Sequence, residues 1–535
     1  MQLQNNSIKT PKPIILNNMG LYSRIMLQFH ISFLWNITIL ALQNHIMKNL
    51  TFAATLLFTA TLFAQTDKQK VEETITKSEI EGHIYFLTDD LLKGRATGTP
   101  ENKIAASYLA NVLRGYGVKP NPKTGTYYQP FDLKQTSAPK IFKVNVNGKE
   151  YKNVMPVNAT KIDYNKDAVY LGFGLVNDYK NQDVKGKVII LKAGESETSN
   201  AREAFLLQKT KMELAKTAGA IGIIEMLNVQ NQIWDRFGHS FNDSKLEIIK
   251  DDSEENKFAY IWIQDADAKM ANTMEGKKNV PVKVSMSANT VEMVKTQNVI
   301  GIIEGTDSKL KNEYIIYSGH YDHVGIGAPD ETGDTIYNGA RDNAVGVTTV
   351  LSMAENLAKY PTKRSAIFIL FTGEEKGLLG SSYYVENPVL PLKQMVYCFN
   401  SDNAGYNDTS IATIIGLGRT TAEKNIKDAA VAFGLKAVDD PAPEQNLFDR
   451  SDNVYFAAKG IPAPTYSLGF TAFNGDVTKY YHQAGDEADT LDYEYLTKFF
   501  RSYVLAGRMI GNDPLTPVWV TGDTYEAASK ELYGK

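Results

Sequence analysis

The sequence predicts an α/β fold carrying a smaller β-rich block, and three observations predict it. From Val299 onward, short apolar runs alternate with helical stretches, the pattern of a sheet covered by helices. From about 140 to 292 the runs are short, apolar or alternating, as in a β-rich domain. Histidines and carboxylates fall just after apolar runs, where an open α/β sheet presents its ligands.

The elements follow in order. Residues 71–120 read as helical. Glu101 to Tyr116 puts Ile104, Ala105, Tyr108, Leu109, Val112 and Leu113 on one face, and Gly117 stops the helix. In the β-rich block, Ala168 to Leu171 and Lys187 to Leu191 read as strands. A helix over Arg202 to Thr217 runs into Gly219-Ala220-Ile221-Gly222-Ile223-Ile224, and Lys250 to Lys257 reads as a surface loop. Beyond Val299, Tyr314 to Tyr317, Ala366 to Phe371 and Met395 to Phe399 read as buried strands, and Val345 to Leu357 and Ser451 to Lys459 as helices. The tail from Thr516 to Lys535 is polar with a short helical stretch.

A chain of 535 residues is too long for one ordinary core, so two or three domains are expected. Hydrophobic content of 43% and charged content of 22% are those of a globular protein. A net charge of −4 leaves no basic footprint, which argues against a nucleic-acid partner. Cys398 stands alone, so no intrachain disulfide forms. Its apolar surroundings read as an inert buried thiol.

Near the N-terminus, Met47-Lys48-Asn49 precedes an apolar run from Leu50 to Phe63 that ends at Ala64-Gln65. That is the pattern of a secretory signal peptide over 47–65. A second apolar stretch, Ile25 to Leu42, lies upstream. Two in tandem suggest that translation starts at Met47 and that 1–46 is an over-extended start. The alternative is a membrane anchor near 24–43, at the lower limit for spanning. The expectation is an exported protein, periplasmic or extracellular, with no stable membrane span in the mature chain.

One constellation carries chemistry: His320, Asp322, Asp342, Glu374-Glu375, Asp402 and His482. Zinc accepts imidazole nitrogen and carboxylate oxygen at about 2.0–2.2 Å. Two zinc ions roughly 3.5–4 Å apart need a bridging carboxylate. Five side chains suffice for such a pair: His320, Asp342, Glu375, Asp402 and His482. Three carboxylates against two dications leave one net positive charge, which favours bound hydroxide and a developing oxyanion. Neighbouring residues at an extended strand end point in opposite directions, so one of Glu374 and Glu375 can bind metal while the other acts as base. Asp322, two residues from His320, is placed to hold its free ring nitrogen. Taken singly, a histidine at a strand end is a hydrogen-bonded residue, Glu-Glu is a solvated surface and Asp342-Asn343 is a turn. Their joint occurrence in a chain with seven histidines favours the metal reading. His323 is given no demanding role and reads as a hydrogen-bonding neighbour.

The strings SGHYDHVG, NGARDNAVGV, LFTGEEKGLLGS, NSDNAG, FDRSDNVYFAAKGIPA and YYHQAGDEADT resemble the zinc aminopeptidase family. That family also holds glutamate carboxypeptidases, glutaminyl cyclases and the transferrin receptor. YFLTDDLLKGRATGTPENKIAASYLANVLRGYGVKP is similar to the family's N-terminal segment. DVKGKVIILKAG and AKTAGAIGII resemble the protease-associated (PA) domain inserted in many members.

The resemblance implies a three-layer α/β/α peptidase domain with a mixed central sheet, discontinuous over 71–140 and 293–512. It also implies a PA-like insertion at 141–292 and a C-terminal extension at 513–535. One zinc would sit on His320 and Asp402, the other on Glu375 and His482, with Asp342 bridging and Glu374 as general base. A cis peptide would follow Asp342. The same ligands would take cobalt or manganese. The implied activity is removal of N-terminal residues from peptides. The alternatives are a carboxypeptidase, dipeptidase or glutaminyl cyclase on the same scaffold, or a non-catalytic receptor module. For substrate binding, Arg450 reads either as a carboxylate clamp or as half of a structural ion pair. Tyr480 and Tyr481 read either as oxyanion donors or as packing.

Overall fold

The computed structural model describes residues 65–534 except 159–160, 200, 235–243, 250–257 and 288. The chain divides into two units, Met1–Gln69 and Lys70–Lys535. Of the first, only Gln65 to Gln69 are described, and the architecture below is that of the second. The expected start and signal segment up to Ala64, and the loop Lys250 to Lys257, lie outside the described residues.

Two helices lead in, α1 (Lys77–Leu87) and α2 (Pro100–Gly115). Thr99 caps α2 by accepting from Asn102 N, and Pro100 occupies the first turn, where its missing N–H costs nothing. Ile104 does not join the apolar face of α2, being half exposed; Ala105, Ala106, Leu109, Ala110 and Leu113 form the seam instead.

The larger sheet is built from β1 (Tyr128–Ser137), β2 (Lys245–Ile248), β3 (Thr290–Ile303), β4 (Tyr314–His320), β5 (Ser365–Phe371), β6 (Met395–Ser401), β7 (Ile411–Ile415), β8 (Lys436–Asp439) and β9 (Thr465–Leu468). Its spatial order is β8-β7-β9-β6-β4-β5-β3-β1-β2. β9, β6, β4 and β5 run parallel, while β3 and β7 flank them antiparallel, so the sheet is mixed. The parallel strands are buried on both faces, which explains their continuous apolar runs. Alternate residues serve opposite cores. Phe368 and Leu370 meet α1, α2, α3 (Gly346–Lys359) and α5 (Tyr493–Asn512) on one face. Ile367, Ile369 and Phe371 meet α4 (Leu379–Glu386), Phe456 and Trp519 on the other. This is the expected three-layer arrangement. Each such side chain contributes about 1.5–3 kcal/mol of burial.

A second sheet uses strands between Phe142 and Met286 and encloses its own cores on two faces. β1 and β3 carry the chain out to it and back, pairing from Tyr128↔Val299 to Ser137↔Thr290. β2 lies within this stretch of sequence yet joins the edge of the larger sheet beside β1. The helix expected over Ser451 to Lys459 is shorter, Asn453–Ala458. The tail packs against the larger sheet through Trp519, whose Nε1 donates to Gly460 O, and through α6 (Glu526–Tyr533). Among the described residues, no helix is long and apolar enough to cross a membrane.

Candidate metal centre

His320 ends β4, Asp402 directly follows β6, and Glu374 and Glu375 lie in the bend after β5. Parallel registry sets His320 opposite Phe371 and Ser318 opposite Asn400, so the three strands deliver these groups to one rim. Two members do not follow strands, contrary to expectation. Asp342 sits in the irregular turn Ala340–Val345 ahead of α3, and His482 lies in a loop with φ of 52°. The peptide Asp342-Asn343 is cis.

His320 Nε2 is 3.2 Å from Asp402 Oδ1 and 3.3 Å from Asp342 Oδ1. His482 Nε2 is 3.1 Å from Asp342 Oδ2 and 3.1 Å from Glu375 Oε2. Asp342 therefore turns one oxygen toward each imidazole. Ligands about 2.0–2.1 Å from a tetrahedral metal stand about 3.3 Å from one another, close to these separations. Two potential metal-holding groups result: His323, Asp342, Glu375 and His482 in one, and His320, Glu374 and Asp402 in the other. His482 Nε2 is buried and makes no hydrogen bond, although two carboxylates stand beside it. A nitrogen so aimed, with oxygens at tetrahedral spacing, fits a shared cation better than a hydrogen-bonded network. Glu374 and Glu375 do part into different groups, but through a bend rather than an extended strand end.

The electrostatics agree. Burial pushes Glu374 well above the usual carboxylate range against the pull of His320, and the charges of Asp402, Glu375 and Asp452 push it further. Burial alone would lower the His482 pKa, yet Asp342 and Glu375 raise it to about 10. His320 is raised against burial by Asp402, Glu374 and Asp342. Burial and Asp342 push Glu375 upward, but His323 and His482 outweigh them and hold it at about 2. The cluster has more buried negative charge than its imidazoles balance when neutral, so it draws in cations, protons included.

A second layer of contacts fixes the first. Asp486 Oδ2 accepts from Arg341 N at 2.9 Å and Asp342 N at 3.2 Å, and Oδ1 accepts from Arg341 Nη1 at 2.9 Å. Arg95, fully buried, donates to the carbonyls of Leu87, Tyr321, Asn338 and Gly339, tying the β4 and Asp342 loops together. Asp322 departs from its expected contact. His320 Nδ1 lies 3.2 Å from the backbone oxygen of Asp322, while its carboxylate is 3.8 Å away. That carboxylate accepts instead from Thr97 Oγ1 at 2.7 Å and Glu374 N at 3.3 Å, so it positions the Glu374 backbone.

The centre opens into a cleft of about 580 Å³, lined on its far side by Ile415, Leu447, Phe470, Phe473 and Tyr481. Arg450 lines the cleft, its Nη2 donating to Tyr481 Oη at 3.4 Å. Arg450 has no ion pair among the described residues, so the structural salt bridge is not formed. Tyr480 turns away and lies under the Arg341 guanidinium at 3.8 Å. Sequence reasoning gave His323 only the part of a hydrogen-bonding neighbour, without its partner Glu375, and gave none to Asp486 or the apolar wall. The His-x-x-His spacing of His320 and His323 was a usable signal for the first. The apolar wall comes from segments too far apart to signal anything.

Residues 298–505 match the model for Peptidase family M28. Aminopeptidase YwaD of Bacillus subtilis (strain 168) is 25% identical over 367 residues, 67% of this chain and 66% of that protein. A probable leucine aminopeptidase 2 of Aspergillus fumigatus is 25% identical over 441 residues, 75% of this chain and 76% of its own. The chain spans roughly half to two thirds of the first curated relatives it matches, at 66%, 52% and 61%. Among solved structures, an aminopeptidase from Aneurinibacillus sp. strain AM-1 superposes with a TM-score of 0.58. It is 23% identical and covers 84% of this chain and 97% of that one, a likeness that shows the fold.

Proposed function

We propose that the chain is a zinc aminopeptidase of peptidase family M28, whose model residues 298–505 match, and that it removes N-terminal residues from peptides. The observation that carries the reading is Asp342, with one oxygen facing His320 and the other facing His482. His320 and Asp402 would hold one zinc, Glu375 and His482 the other, and Asp342 both. What bound zinc supplies is Lewis acidity, polarising a carbonyl and lowering the pKa of water.

The side chains do the rest. Glu374, positioned through its backbone by Asp322, takes a proton from the attacking water and returns it to the leaving amine as the C–N bond breaks. The raised affinity of Glu374 for protons suits the first of these transfers. Tyr481, stacked 4.0 Å from the His482 ring, has its phenol at the cleft, where it can donate to the oxyanion. Ile415, Leu447, Phe470 and Phe473 favour an apolar side chain on the residue released. The segment between Phe142 and Met286 is read as a PA-like insertion, and the protein as exported. Mass spectrometry of the native product tests the expected start at Met47, since peptides from residues 1–46 should be absent.

Arg450 favours a second reading. A guanidinium without a carboxylate at the mouth of the cleft suits a terminal carboxylate, as a carboxypeptidase or dipeptidase would need. Hydrolysis of zinc-loaded protein on matched peptides with free and acetylated N-termini decides. Loss of the acetylated substrates supports the aminopeptidase, and equal turnover of both refutes it.

A further inference from the structure

We propose that His323 is a positioning residue for the metal held by Glu375 and His482, an inference that rests on the two-metal reading above. His323 Nδ1 stands 2.7 Å from Glu375 Oε1, while Glu375 Oε2 faces His482 Nε2 at 3.1 Å. Donation to one oxygen leaves the other aimed at the metal position and stops the carboxylate from swinging. Asp342 Oδ2 is 3.9 Å from the same nitrogen, too far to compete.

Three features set this imidazole apart from core packing. The ring is fully buried, yet its Nε2 has no hydrogen-bond partner among the described residues. A packing role would be better filled by an apolar side chain, which leaves no dry nitrogen. With Nδ1 as the donor, the neutral ring carries its unpartnered lone pair on Nε2, the less costly tautomer. The fold also makes room for it. Gly339 has φ of +60°, and a Cβ there would meet the His323 ring at 2.6 Å. Finally, the ring lies edge-on to His482 at 5.4 Å and 74°, so both imidazoles flank the same carboxylate. Asp402, the matching carboxylate of the other centre, has only His320 as a hydrogen-bonding side chain among the described residues and is partly exposed. The two centres therefore differ in how their carboxylates are held.

The test is zinc affinity, read by chelator competition on wild type, His323→Leu, His323→Gln and His323→Asn. Asparagine places an amide N–H near the position of Nδ1, whereas glutamine carries it one carbon further. Leucine and glutamine should each weaken one of the two zinc ions by about 10–100-fold and leave the other unchanged. Asparagine should recover most of that loss. The glutamine–asparagine pair keeps the comparison intact if the leucine variant does not fold. Wild-type affinity for both ions in the leucine or glutamine variant overturns the proposal, as does an asparagine variant no tighter than glutamine. Fewer than two zinc ions on wild type would instead sink the two-metal reading itself.

Discussion

The molecule buries carboxylates in two places and treats them oppositely. In the second sheet, Glu225 is wholly buried and fully supplied: Lys211 Nζ at 2.5 Å, Tyr260 Oη at 2.7 Å and Trp262 Nε1 at 2.6 Å all donate to it. One positive charge meets one negative, and Lys211 also donates to the Lys192 carbonyl. At the rim of the larger sheet, Asp342, Glu374, Glu375 and Asp402 crowd three imidazoles, and His482 Nε2 is left without a hydrogen bond among the described residues. The first arrangement is closed and structural. The second is complete only with cations, and this open accounting separates a site from a scaffold.

The largest effect expected is on turnover. Glu374→Gln should lower kcat by about 10²–10⁴-fold while both zinc ions stay bound. A wild-type rate in that variant would move the base elsewhere. Next comes Lys211→Met, which strands the Glu225 charge and should destabilise the protein by about 3–5 kcal/mol without touching zinc content. Unchanged denaturant unfolding would show that Glu225 is not held by charge. A third contrast is in pH. Glu374 and Asp452, the latter raised to about 7 by burial, hold protons in the folded state that the unfolded chain releases above about pH 4.5. Their stabilisation is present in acid and lost as pH rises, for Asp452 toward about 7. His482, raised to about 10, loses its contribution as pH rises through that value. Glu375 and Asp342, both lowered, act the other way but only in stronger acid. Zinc-free protein should therefore lose stability with rising pH, and zinc, which binds deprotonated ligands, should stabilise more. The gap in Tm between loaded and stripped protein should widen from about pH 5.5 to about pH 8.5. A gap that narrows would refute the charge-surplus account. The smallest effect expected is at the cleft mouth. Arg450→Ala should raise KM by roughly 3- to 10-fold for peptides ending in a free carboxylate, relative to their amides. No difference between the two would remove Arg450 from substrate binding.

Much of this was legible along the chain because strands write a local pattern. Ala366 to Phe371 is apolar throughout since both faces of β5 are covered, and the residues after it are then fixed at a sheet rim. Local patterns failed where two segments had to be known together. Ile104 has helical spacing but no partner surface, and β2 leaves the second sheet for an edge only β1 could offer. Asp322 is another such case, with its carboxylate taken by Thr97 and the Glu374 backbone rather than by the imidazole two residues away.

The sequence predicted the α/β class from apolar runs alternating with helical stretches, and the three-layer arrangement from its family resemblance. It proposed the members of the centre from residue types gathered near strand ends, a local property that holds for His320, Glu374, Glu375 and Asp402. Only the tertiary structure decided which oxygen of Asp342 faces which imidazole, that Arg450 donates to Tyr481 and forms no ion pair among the described residues, and that His323 grips Glu375. Those are distances between segments far apart in the chain, set by strand registry and loop packing, and no spacing within the sequence encodes them.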